Sequence, residues 1–216
     1  LAAIDLLAKY DIKATYYLPH PRLEAGGKYM TIDDALGLQA AGHEIGGHTI
    51  THPQLPELSR EEQRKEICED REHLQLAGFT VDNFSYPAGA HNATTEALVA
   101  ECGYESARTS GGLCEQPGIF DFCDQAESLP PQYVFATRTH GSMRRQHIPD
   151  RMRALITDPY ENGGGWVQLI FHHVCDDCND YGISVDEMDS FLSWLTNERE
   201  AGRVQVKTTR EVIRGL

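Results

Sequence analysis

Positive charge is scarce in this sequence: 19 lysines and arginines stand against 33 aspartates and glutamates, a formal net charge of −14. No basic cluster is left over to displace counterions from a phosphate backbone, which argues against a nucleic-acid partner and for a neutral or cationic substrate. Long apolar runs are missing too, and none approaches the roughly 20 residues a membrane-spanning helix needs. Cys175-Asp176-Asp177-Cys178 has no second C-x-x-C to complete a zinc ribbon. Repeats and linker-like stretches are absent, so the chain reads as one domain. There is no initiator methionine. Leu1 to Tyr10 reads as the middle of a helix with no cap before it. The expectation is a fragment whose start, with any signal peptide, lies upstream.

What is present is an ordinary globular composition, 40% hydrophobic and 24% charged. Six cysteines, an even number, suit disulfides in an exported protein. The expected pairs are Cys68 with Cys102, Cys114 with Cys123, and Cys175 with Cys178. Periodicity and caps give alternating elements. Helices are expected up to Tyr10, over Thr31–Ala41 with Asp33 and Asp34 in the first turn, and from the Ser59 capping box to Ala77. Further helices are expected over Asn92–Glu101, Ile148–Ile156, Val185–Glu200 and Thr209–Ile213. Strands are expected over Lys13–Leu18, before His48, and over Val81–Tyr86, Tyr104–Thr109, Tyr133–Thr139, Trp166–Phe171 and Val204–Val206. Residues Ser110–Gln132 read as a long loop. Such alternation implies an α/β fold with a mostly parallel sheet, whose functional residues gather where strands end.

Three of those ends carry chemistry. Gly42-His43-Glu44-Ile45-Gly46-Gly47-His48-Thr49-Ile50-Thr51-His52-Pro53 holds two histidines four apart. That spacing places both imidazoles on one face of a helical turn, within reach of one metal ion. Gly46 and Gly47 would loosen the backbone before them. Tyr86-Pro87-Ala88-Gly89 and His172-His173 follow two other strands. Adjacent residues on a strand face opposite ways, so only one of His172 and His173 lines a site. His43 reads as structural, His91 as either substrate contact or surface, and Trp166 as core.

These residues resemble the polysaccharide deacetylases of the NodB-homology type, carbohydrate esterase family 4. The stretch Gly42–Pro53 is similar to that family's metal-histidine motif, Phe84–Asn92 to its oxyanion segment, and Leu169–His173 to the late strand ending in its catalytic acid. Lys13–Tyr17 and Gly103–Arg108 also fit. The resemblance covers about residues 1–110 and 165–216. It implies a distorted (β/α) barrel whose first strand lies outside this chain, with 1–216 as a single, N-terminally truncated deacetylase domain. It further implies a divalent metal (zinc, or cobalt, nickel or manganese) on His48, His52 and an aspartate upstream of Leu1. A second upstream aspartate would act as general base. The resemblance makes His172 the general acid, the Ala88 N–H the oxyanion donor, and Tyr86, Pro87, Arg108 and His91 substrate-binding residues. The family's arginine in the oxyanion segment is Ser85 here, and Arg108 is a substitute from another strand. Asp33-Asp34 imitates the missing opening motif but falls at a helix start. The implied activity is removal of N-acetyl or O-acetyl groups from a secreted or cell-envelope polysaccharide. The alternatives are a non-catalytic sugar-binding relative and a hydrolase of another non-peptide C–N bond.

Overall fold

The computed structural model describes residues 2–27, 29–114, 124–145 and 149–215. The elements run α1 (Ala2–Lys9), β1 (Thr15–Leu18), α2 (His20–Glu24), α3 (Ile32–Ala40), β2 (Glu44–Gly47), α4 (Arg60–Arg64) and α5 (Asp70–Leu76). They continue as β3 (Val81–Ser85), α6 (Ala93–Glu101), β4 (Ser106–Gly112), β5 (Thr137–Thr139) and α7 (Pro149–Glu161). The last are β6 (His173–Val174), β7 (Gly182–Ile183), α8 (Val185–Glu200) and α9 (Thr209–Arg214). Five strands form one sheet in the order β1-β2-β3-β4-β5, and the β1–β2, β2–β3 and β3–β4 pairs are parallel. β6 and β7 pair separately. This is the expected α/β architecture with a mostly parallel sheet; among the described residues the sheet does not close into the expected barrel.

The chain forms two compact units from interleaved segments. One takes Lys13–Thr109, Pro130–Thr137 and Lys207–Leu216. Its core includes Ile45, Leu55, Ile67, Leu74, Val81, Phe84 and Leu98, none of them exposed. Each such side chain contributes about 1.5–3 kcal/mol by leaving water. The helix expected from Ser59 to Ala77 is broken by a π turn over Lys65–Glu69 between α4 and α5. Cys68 in that turn is bonded to Cys102 at the end of α6, as expected.

One face of this sheet is polar. Glu44 is buried and accepts from Thr15 Oγ1 at 2.9 Å, from the Asn83 side-chain amide, and from the Arg210 main-chain N–H of α9 at 2.8 Å. Ser106 Oγ in turn donates to Asn83. A polar file thus crosses β1 to β4 with its hydrogen bonds satisfied inside the protein, as burial requires.

Gly46 and Gly47 do not loosen the backbone; they are buried β2 residues that make room for neighbours. A Cβ on Gly46 would lie 2.7 Å from the Tyr17 ring, and one on Gly47 would overlap the Tyr104 hydroxyl. Gly47→Ala is therefore expected to lose about 1–3 kcal/mol of stability through overpacking, read as a lower denaturant midpoint with unchanged m.

The second unit takes Leu1–Ile12, Ser110–Leu129 and Arg138–Val206. Its core is built on Leu6, Met152, Leu155, Ile183, Phe191 and Leu192. Cys175 and Cys178 are bonded, while the pairing of Cys114 with Cys123 lies outside the described residues. Two expected strands are not formed. Trp166–Phe171 makes only single bridges, Trp166 to Glu127 and Ile170 to Ser142, because its partners are loop residues and not strands. Trp166 itself is buried, in keeping with the core reading. Val204 and Val206 pack on the core without a ladder. The expected strand over Tyr133–Thr139 shortens to β5.

The loop before β5 is fastened by an ion pair. Arg138 donates to both oxygens of buried Glu127, from Nη2 at 2.8 Å and from Nε at 3.1 Å. Burial pushes the Glu127 carboxyl up, but these bonds outweigh it and hold the group below its ordinary 4.5. A depressed carboxyl stabilises the fold above its unfolded pKa, and that stability is lost as pH falls through the folded value. Arg138→Ala should cost about 3 kcal/mol near neutrality by stranding a buried charge. The deficit should shrink in denaturant titrations taken below pH 4.5, where Glu127 becomes neutral in the variant.

Candidate active site

His48 is the first residue beyond β2. Its Nδ1 lies 2.7 Å from the Ser85 carbonyl at the end of β3. A carbonyl only accepts, so Nδ1 carries the proton and the Nε2 lone pair is left for a ligand, the usual way a metal-binding histidine is oriented. Burial pushes the His48 imidazole down to about 3, against the pull of the Ser85 bond, so the ring is neutral near pH 7. The His52 ring lies edge-on to it, centroids 4.8 Å apart.

The expected helical turn is not what joins them. Residues 48–52 form a loop in which Thr49 has φ 65° and His52 φ 62°. A β-branched residue at positive φ is strained, at a cost of about 1–3 kcal/mol. Two acids from the helix behind the loop hold it there. Asp70 has no exposed surface and accepts the His48 N–H and the His20 N–H, both at 2.9 Å. Its burial raises the carboxyl to about 7. Glu66 accepts the N–H groups of Ile50 and Thr51 at 2.9 and 2.8 Å and the Thr51 hydroxyl at 2.8 Å. The His52 N–H goes to Thr49 Oγ1 at 3.1 Å. Sequence reasoning missed both acids. The signal was there for Asp70, which falls in the buried stripe Gln63, Ile67, Asp70, Leu74, where a carboxylate has no apolar reason to be.

The segment after β3 is a tight turn over Pro87–Gly89 with Ala88 at φ 52°, ψ 15°. Its two closing bonds are made by the N–H groups of Gly89 and Ala90, not by that of Ala88. Ala88 is exposed. Tyr86 and Pro87, expected at the substrate, are buried. The Tyr86 hydroxyl donates to the Phe135 carbonyl at 2.8 Å, and its ring stacks on His91 at 5.1 Å. His91 Nδ1 pairs with Glu96 at 2.8 Å.

Arg108 on β4 sits in register with Ser85. Its guanidinium lies 4.9 Å above the Tyr17 ring and donates to the Thr109 carbonyl at 3.1 Å. No carboxylate partners it among the described residues, and burial draws its pKa below the ordinary value. The Ser85 hydroxyl beside it is buried and unpartnered among the described residues.

His172 and His173 lie in the other unit, both exposed. His172 packs on the Tyr181 ring, centroids 5.1 Å apart. It precedes the two-residue strand β6; the long strand expected to end in it is not formed. His43 is structural, as read: buried, with Nδ1 accepting the Ala14 N–H at 3.1 Å. Asp34 completes a capping box with Thr31 at the start of α3, again as read.

The neutral nitrogen donors of His48 and His52 fit a borderline divalent ion such as zinc. They fit as two ligands of a set: among the described residues no group of three His, Cys, Asp or Glu side chains can hold a metal. If Glu66 is what keeps this loop closed, Glu66→Ala will speed amide hydrogen exchange at Ile50 and Thr51 at least tenfold while the core strands keep their protection; unchanged exchange there would refute the clamp.

Residues 2–107 match the polysaccharide deacetylase family. A peptidoglycan-N-acetylglucosamine deacetylase of Bacillus cereus is 32% identical over 87 residues, 40% of this chain and 30% of that protein. The chain spans about a third to a half of the length of the curated relatives it matches. Among solved structures, the Xyl-CE4 domain of a multidomain xylanase from the Trinervitermes trinervoides hindgut metagenome superposes with TM-score 0.63 at 14% identity, covering 99% of this chain and 82% of that one. A CE4-family pseudoenzyme from Bacillus anthracis does so with TM-score 0.60 at 16% identity, covering 98% and 59%. At these identities the superpositions establish the fold.

Proposed function

We propose that this chain, a member of the polysaccharide deacetylase family, works as a metal-dependent hydrolase that removes acetyl groups from a polysaccharide or oligosaccharide. The observation that carries this is the His48–His52 pair, with the His48 proton spent on Ser85 and the rings side by side. His48 and His52 would hold a divalent cation, zinc by donor chemistry, with a third ligand from outside the described residues. When bound, the cation supplies a Lewis acid that polarises the acetyl carbonyl and acidifies a water.

The chain's own groups do the rest. The Ala88 N–H, left out of its turn's hydrogen bonds, donates to the developing oxyanion, a contribution of roughly 3 kcal/mol when well aimed. Arg108, a half-buried cation lacking a carboxylate among the described residues, would steady an aspartate general base of the kind the family uses. His172 protonates the leaving amine, without which an N-acetyl amide does not expel it. Tyr86 and Pro87 shape the turn from within, and His91 buttresses Tyr86. The substrates in view are N-acetylglucosamine polymers and O-acetylated xylan. The disulfides among the described residues, Cys68–Cys102 and Cys175–Cys178, support a secreted or cell-envelope setting, and no described helix is long and apolar enough to cross a membrane. The interleaving of the two units supports reading 1–216 as one domain.

A second reading is a sugar-binding relative without catalysis. It is favoured by the absence of a third ligand among the described residues. The two separate on the purified full-length protein. An enzyme carries about one equivalent of metal, releases acetate from acetylated oligosaccharides, and loses both in His48→Ala and His52→Ala, because two imidazoles cannot be replaced by one. Metal and activity that survive both substitutions would end the assignment, and oligosaccharide binding without acetate release would favour the second reading.

A further inference from the structure

His172 is exposed and stands at the start of a segment with almost no core of its own: between Cys175 and Asp180 every residue is polar or a cysteine. A general acid that wanders by 1 Å forfeits about a hundredfold in rate. Several bonds restrict this one. The Cys175–Cys178 bond closes the turn. Cys175 N–H donates to the Ile183 carbonyl at 2.9 Å, and β6 pairs with β7 so that His173 faces Gly182. Only glycine fits at 182, since a Cβ there would lie 2.8 Å from Cys178 Cβ. Arg145 ties the turn from outside, donating from Nη2 to the Asp176 carbonyl at 2.9 Å and to that of Cys178.

That register brings residue 181 against residue 172. The Tyr181 ring lies 5.1 Å from the His172 ring, tilted by 58°. The tyrosine is itself held on its other groups: Arg144 Nη2 donates to its hydroxyl at 2.9 Å, and the Arg144 guanidinium carbon lies 4.4 Å above its ring. We propose that the disulfide-closed turn exists to present Tyr181 to His172, making Tyr181 a positioning residue that aims the imidazole's proton at the leaving group. This rests on His172 being the general acid, and it adds what keeps that acid aimed. The sequence feature behind it, a C-x-x-C three residues after His172, then has a role that neither metal binding nor general stability requires.

The test uses the metal-loaded full-length protein and two substrates. An N-acetylated chitooligosaccharide needs its amine protonated to leave. 4-Nitrophenyl acetate does not, because nitrophenolate leaves unaided. His172→Ala serves as the reference and should depress kcat on the amide far more than on the ester. Tyr181→Ala should follow it, lowering amide kcat about 10- to 100-fold with KM and ester turnover within about twofold. Tyr181→Phe keeps the ring and should stay within about threefold on both. The double variant Cys175→Ser, Cys178→Ser should show the same amide-selective loss, with its far-ultraviolet circular dichroism confirming that it is folded. Equal losses on both substrates, or none, in Tyr181→Ala would overturn the positioning role while leaving the acid intact. If His172→Ala itself shows no amide selectivity, the acid assignment fails, and with it this inference.

Discussion

Asp70 carries a carboxylate with no exposed surface, and it accepts main-chain N–H groups from the ends of two neighbouring strands, His20 after β1 and His48 after β2. Neither donor is offered another acceptor by its own loop, and a buried N–H left unpaired costs about 1–3 kcal/mol. The position of the first candidate ligand is therefore tied to a buried acid on the helix behind it. Glu66, four residues earlier, does the same for Ile50 and Thr51. Glu66 lies in the π turn and Asp70 directly follows it, and Cys68 of that turn is bonded to Cys102, so the clamp is itself anchored to the next helix of the same unit.

The clamp matters because the loop it holds is unfavourable in isolation. Thr49, His52 and Ala88 all have positive φ, three of the four non-glycine residues that do so among the described residues. They stand just beyond β2 and β3. Strain concentrated at strand ends persists only where the scaffold over-determines it, and here the scaffold is a parallel sheet with a satisfied polar file and two glycines that admit Tyr17 and Tyr104. The Ser85 carbonyl links the two loops through the His48 ring, and Arg108 stands beside Ser85 in register. Fold alone does not decide activity. The donor set and the proton donor do, and these are the parts that His48, His52, Ala88 and His172 supply under the proposed function.

Much of this was legible in order along the chain. Alternating periods gave the α/β class, and caps at Thr31 and Ser59 marked true helix starts. The failures share a cause. Trp166–Phe171 and Val204–Val206 have strand-like composition, but a strand needs a partner, and composition does not say whether one will be alongside. The Ser59–Ala77 helix reads as continuous because a π turn adds one residue without disturbing the apolar stripe.

By itself the sequence determined which residue types stand at which spacing: an imidazole pair at 48 and 52, a Pro-Ala-Gly turn after β3, cysteines at 68 and 102 and at 175 and 178, and a sheet of parallel strands. Those follow from local chemistry and period. Tertiary structure alone decided that the imidazoles meet through left-handed residues and not a helical turn, that Gly46 and Gly47 are there for ring space, that Tyr86 is core, and that Asp70 and Glu66 belong to the site. Each of these depends on what a distant segment places within 3 Å, and distance through space is the one quantity that position along a chain does not carry.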